Sequence, residues 1–172
     1  MTLSMYSASV PVFSRMLKNL LAIFEKAEAF AAEQNIDLQT FVETRLAPDM
    51  HPLRNQVQIA TDGAKGVSSR LAGKPVPSWP DDEVTWADLK VRLQKGIDYL
   101  ATFTPEEFEG SDERNVTIKL GGQDVEIAGD TYLLNRGLPN FFFHITTAYD
   151  ILRHKGVPIG KRDYMGQLRV KM

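Results

Sequence analysis

Imidazole is the side chain best suited to proton transfer or metal ligation near neutral pH. The 172-residue chain carries it at His51, His144 and His154, and has no cysteine. The missing thiols exclude disulfides, thiolate nucleophiles and cysteine-based zinc sites together, and are compatible with a cytoplasmic address. His144 stands in the most apolar long segment, DTYLLNRGLPNFFFHITTAYDILRHKG, from Asp130 to Gly156. On a helical wheel it falls at the flank of the apolar stripe, beside Gly137 and Ala148. A histidine there is either buried and satisfied by a local hydrogen bond, the commoner use, or a functional group. His154 projects with Asp150 from the opposite face, in a last turn where a cation favours the helix dipole. His51 precedes Pro52 in a bend and joins a site only if the fold turns that bend inward. Asp62 could serve as a base, but its wheel position points away from the apolar seam and predicts a solvated carboxylate.

The elements that must position these residues read as helices. Within 130–156, Leu134, Leu138, Phe141, Ile145, Ala148 and Leu152 recur at steps of four and three, which places them on one face. Asp130 as N-cap and Gly156 as C′ residue, with Pro158 beyond, mark the ends. Pro139 predicts a kink one turn before His144. Phe141 is expected in the core and Phe143 either exposed or at a subunit contact. A first helix is predicted from about Val10 to Glu33, capped by Ser9 with Pro11 near its first turn, and DLQTFVETRLA as a short helix stopped by Pro48. From Pro52 a further helix carries Leu53, Val57, Ala60, Ala64, Val67 and Leu71. Gly63 and Gly66 inside it weaken it by about 1 kcal/mol each. They persist either because a neighbouring helix comes close, the commoner reason, or because a ligand needs the room.

GKPVPSWPDDEV reads as a Pro-rich loop crossing one end of a bundle. Thr85 and Asp88 form a capping-box pattern ahead of Trp86, Leu89, Leu93, Ile97, Leu100 and Phe103. TPEEFEGSDERN is expected as a solvated acidic loop. NVTIKLGGQDVEIAG predicts a hairpin turned at Gly121-Gly122, with Ile118 facing Val125, Val116 facing Ile127 and Lys119 opposite Asp124. VPIGKRDYMGQLRVKM is expected as an extended tail anchored by Ile159 and Tyr164, with a weakly ordered end. The expected fold class is therefore all-α: an antiparallel four-helix bundle with a short extra helix and a small β-hairpin before the last helix. It is read as a single domain over 1–172 and as a homodimer through an apolar helix face.

Hydrophobic residues at 43% and charged residues at 24% are ordinary globular values and argue against disorder. A formal charge of −2 without a basic stripe gives no reason to expect a nucleic-acid partner. No apolar run approaches the roughly 18 to 20 residues that span a bilayer, so no membrane is expected. MTLSMYSASVPVF lacks the basic and apolar regions of a signal peptide.

The phrases LSMYSASVPVF, RLAPDM, QVQIATDGAKG, RLAG and LPNFFFHITTAYDILRHKGV, with the matching helical seams and the hairpin before the last helix, resemble the DUF1993 family over nearly the whole chain. That family is similar to the DinB/YfiT-like superfamily. The resemblance implies a four-helix bundle, often dimeric, among relatives regarded in many cases as metalloenzymes and in some as thiol-dependent transferases. It also implies a metal site built from one histidine of the second long helix and a His-x-x-x-His pair on the fourth. With LRHKGV matched to the end of that fourth helix, the pair falls on Asn140 and His144, and the helix-two ligand near Gln56 to Gln58. Two of the three imidazoles are missing, and amide oxygens replace them poorly at zinc or nickel. The wheel puts Gln56 nearer the apolar seam than Gln58. A cluster of Gln56, Asn140 and His144 is thus geometrically allowed, and it suits a polar small-molecule ligand better than a metal.

Three functions follow as expectations. The first is a small-ligand-binding or non-catalytic bundle with a degenerate metal site at His144 and no cofactor. The second is a metal-dependent transferase or hydrolase in which His144 holds a weakly bound divalent metal or activates a water. The third is a structural or stress-associated dimer without a small-molecule site.

Overall fold

The computed structural model describes residues 3–167. Its long helices are α1 (Met5–Gln34), α3 (Leu53–Leu71), α4 (Trp86–Leu100) and α6 (Leu138–His154). Shorter helices are α2 (Gln39–Val42), α5 (Gly129–Tyr132), which runs through a π-helical turn at Leu133–Gly137 into α6, and α7 (Lys161–Met165). The hairpin β1 (Asn115–Leu120) and β2 (Gln123–Ala128) precedes α5. This is the four-helix bundle with a hairpin before the last helix that the sequence predicts.

Packed pairs fix the directions. Phe13 of α1 stacks edge-on against Phe141 of α6, and the Trp86 indole of α4 donates to Glu28 of α1. Arg92 reaches Thr61 while Tyr99 meets Ser69 eight residues further along α3, so α3 and α4 run parallel. Gln56 meets His144 while Val67 lies against Gly137, so α3 and α6 run antiparallel. The α3–α4 connection must consequently return the length of the pair. Instead of crossing one end of the bundle, the Pro-rich segment lies along it: Lys74 sits over Phe103, Trp79 against Tyr99, and Glu83 beside Arg92.

Local chemistry accounts for the remaining departures. α1 starts at Met5 because Ser4 and Ser7 close a reciprocal capping box, and Ser9 is a buried residue whose hydroxyl donates back to Met5. Pro11 is exposed within the helix, where water can serve the Ser7 carbonyl it leaves without an amide. The second segment keeps only the α2 turn, Gln39–Val42. The acidic loop is not wholly solvated, since Pro105–Phe108 forms a 3-10 turn that buries Phe108 against Tyr6 and Phe103. The hairpin has the predicted register, Val116 opposite Ile127 and Ile118 opposite Val125. Beyond α6, Ile159 is buried and Tyr164 bonds Thr146, but the segment between forms α7 rather than an extended tail. The weakly ordered end expected after it falls on residues 168–172, outside the described residues.

Pro139 changes more than the helix axis. It has no amide to return to Asn135, and its ring crowds that carbonyl. The backbone widens instead, so that Leu138 donates to Leu133, five residues back. The extra residue rotates everything before it by about 100°. Leu133 is therefore fully buried, whereas Leu134, expected in the stripe, is 59% exposed.

Candidate functional site

Gln56 and His144 are both buried and joined across the α3–α6 interface, Nδ1 of His144 lying 2.7 Å from Oε1 of Gln56. The amide orientation is set at its other end, where Nε2 donates to the His51 carbonyl at 2.8 Å. Oε1 must therefore accept, and His144 carries its proton on Nδ1. The lone pair stays on Nε2, for which the described residues supply no hydrogen bond. Burial, aided by the charge of His51, lowers the His144 pKa from its ordinary 6.5, so the ring is neutral at pH 7.

Asn140 does not join them. It is exposed, with its amide nitrogen 3.5 Å from where a Cβ on Gly63 would stand. It lines a separate open cleft of about 580 Å3 between α3, the π turn and the hairpin. Gly63 and Gly66 form its floor, with Arg70, Tyr132 and Arg136 around it. The cleft ends at Ile59 and Asn140, about one helical turn short of the Gln56–His144 pair.

The two floor glycines do not serve close helix packing. A Cβ on Gly66 would meet only the Arg70 guanidinium, and one on Gly63 only that amide of Asn140. Close approach is provided elsewhere, by Gly137, whose Cβ would stand 2.9 Å from Val67, and by Gly96, at 3.2 Å from Leu17.

Tyr132 is buried, and its hydroxyl takes a long 3.4 Å contact from Arg70. Burial raises its pKa against the opposing charges of Arg70 and Arg136, so the phenol keeps its proton. Asp62, expected as a solvated carboxylate, is instead partly enclosed and held by Lys65 at 2.6 Å and Arg92 at 2.8 Å. Gln58 is as buried as Gln56 but turns the other way, to Glu83 at 2.8 Å. His51 and His154 are exposed.

A larger polar assembly adjoins the cleft through Asp62. Arg92, with a side chain only 1% exposed, donates to Thr61, the Pro80 carbonyl, Asp62, Asp81 and Glu83. Lys65, Lys95 and Arg92 surround the Trp79 ring at 4.5, 4.6 and 5.2 Å. This network ties down the returning connection, whose prolines cannot donate backbone hydrogen bonds. Its one sequence signal is an arginine inside an apolar helical rhythm. Arg70, Tyr132 and Arg136 also escape a sequence reading; the available signal is spacing, Gly66 to Arg70 and Tyr132 to Arg136 each being four residues apart on a helical face.

The donor set does not fit the metal centre implied by the family resemblance. Oε1 of Gln56 already accepts from His144, Nε2 of Gln56 is a donor, and Asn140 faces the cleft. Among the described residues no three His, Cys, Asp or Glu side chains gather as ligands. No described helix is long and apolar enough to cross a membrane.

Comparison with known proteins agrees with the architecture. The sequence profile described as "Domain of unknown function (DUF1993)" matches residues 5–165. A crystal structure of a DinB family member protein from Shewanella denitrificans superposes with a TM-score of 0.90 at 41% identity, covering 97% of this chain and 94% of that one. No curated protein matches. With the profile spanning nearly the whole chain and the related structure sharing its fold, this protein belongs to the DUF1993 family of DinB-like four-helix bundles.

Proposed function

We propose that this DinB-like bundle binds a small molecule in the cleft between α3 and the π turn, without a resident metal. The observation that carries this is the glycine floor: Gly63 and Gly66 each cost helix stability, no helix backbone packs on them, and both open onto a cleft of ligand size. The test is a small-molecule screen read by thermal shift on untagged protein, repeated on Gly63→Leu. A leucine at 63 fills the cleft and favours the helix, so the variant should stay folded and lose the response. A response unchanged in Gly63→Leu would move the ligand elsewhere. Stoichiometric metal in untagged protein, lost on His144→Ala, would overturn the metal-free part.

The second reading, hydrolytic or transfer chemistry, rests on His144. Gln56 fixes its tautomer and leaves a neutral Nε2 able to accept a proton from water. Carbethoxylation of His144 by diethyl pyrocarbonate, mapped by mass spectrometry, would support it. A His144 that stays unmodified in the folded protein would count against it.

A further inference from the structure

We infer that the ligand of this cleft carries an oxyanion, a carboxylate or a phosphate, seated between the guanidinium groups of Arg70 and Arg136 with the Tyr132 hydroxyl as a third donor. This rests on the cleft being the ligand site. Arg70 folds back over the floor, one guanidinium nitrogen 2.7 Å from where a Cβ on Gly66 would stand, so the absent side chain at 66 is what admits it. Arg136 lines the same cleft, and its charge, like that of Arg70, acts on the Tyr132 hydroxyl.

The carboxylates of the cleft are already engaged. Asp62 is held by Lys65 and Arg92, and Asp124 faces Lys119 at 3.8 Å, so among the described residues no acidic group pairs with Arg70 or Arg136. Two like charges lining one cleft raise the energy of the empty protein, and an anion relieves it. The geometry of the guanidinium also suits carboxylate and phosphate oxygens, which it can grip with paired N–H donors. Tyr132 accepts from Arg70 and still has its own proton to donate. Ile59, Val67 and Ile118 share the rest of the lining with polar groups such as Thr117 and Asn140, so the molecule attached to the anion has room for an apolar portion beside a polar one.

The experiment compares phenyl phosphate, benzoate and neutral benzyl alcohol by calorimetry on full-length wild type, Arg70→Gln and Arg136→Gln, at ionic strength matched with chloride. Saturable binding of either anion, weakened about tenfold or more in each variant, is expected; which anion binds more tightly identifies the headgroup. Without added anion, both variants should keep the wild-type circular dichroism. They should also melt no lower than wild type at low salt, because a repulsion has been removed. If benzyl alcohol binds as well as the anions, with equal affinity in wild type and the arginine variants, the cleft stands as a ligand site and the oxyanion falls. If no anion binds, the oxyanion falls, and a screen response that survives Gly63→Leu removes the cleft as well.

Discussion

Replacing Gln56 by leucine tests the coupling at the centre of the α3–α6 interface. The substitution deprives the Nδ1–H of His144 of its acceptor, on a side chain only 8% exposed. A buried donor left unpaired costs about 1 to 3 kcal/mol. The other partner, the His51 carbonyl, belongs to an exposed residue and can turn to water. Leucine gains apolar burial where an amide stood, which offsets part of the loss, so the net destabilisation should be about 1 to 2 kcal/mol. For a chain of this size that lowers Tm by about 2 to 8 °C. Urea denaturation gives the free energy, and the imidazole 15N shifts report where the proton resides, with Nδ1–H giving way to a mixture of tautomers. A double-mutant cycle with His144→Phe separates this mechanism from simple loss of packing. Each single change orphans one polar group, whereas Gln56→Leu with His144→Phe removes both, so the pair should cost less than the sum by about 1 kcal/mol or more. Strict additivity, or a Gln56→Leu variant within about 0.5 kcal/mol of wild type, would refute the reasoning.

Arg92→Met should cost about 3 kcal/mol in urea denaturation, the lower end for breaking a buried ion pair, because Asp62 and Asp81 can rehydrate while Glu83, 10% exposed, cannot. Adding Glu83→Gln should restore part of that loss. His144 binds its proton less readily folded than unfolded, so stability should fall as pH drops from about 6.5 toward the lowered folded pKa and then level off; His144→Gln should remove that slope in denaturation curves at pH 7.5, 6 and 5. Gly137→Ala should lose about 1 to 3 kcal/mol by forcing Val67 aside, whereas Gly63→Ala, with only ordinary contact ahead of it, should gain up to about 1 kcal/mol in thermal unfolding.

The helices, the hairpin register and the burial of Phe141, Ile145 and Leu152 follow from period and turn chemistry, which act between near neighbours in the chain. Ser4 caps α1 rather than the expected Ser9, because the Ser4–Ser7 reciprocal bonds extend the helix ahead of the apolar rhythm from which its start is read. Leu134 leaves the expected stripe because a wheel assumes a constant 100° step, and the widened turn ahead of Pro139 breaks that assumption. Of the candidate cluster, Gln56 and His144 were brought together and Asn140 was not.

By itself the sequence determined the four long helices and most of the faces they hide, and that imidazoles are missing where the family resemblance implies a three-histidine metal site. Only the tertiary structure decided that α3 and α4 run parallel, that Arg92 holds the returning connection, and that Arg70, Tyr132 and Arg136 line one cleft with Gly63 and Gly66. The physical reason is range: periodicity records how a residue stands relative to its own helix axis, while charge pairing and cleft formation depend on which axes lie side by side and in which direction.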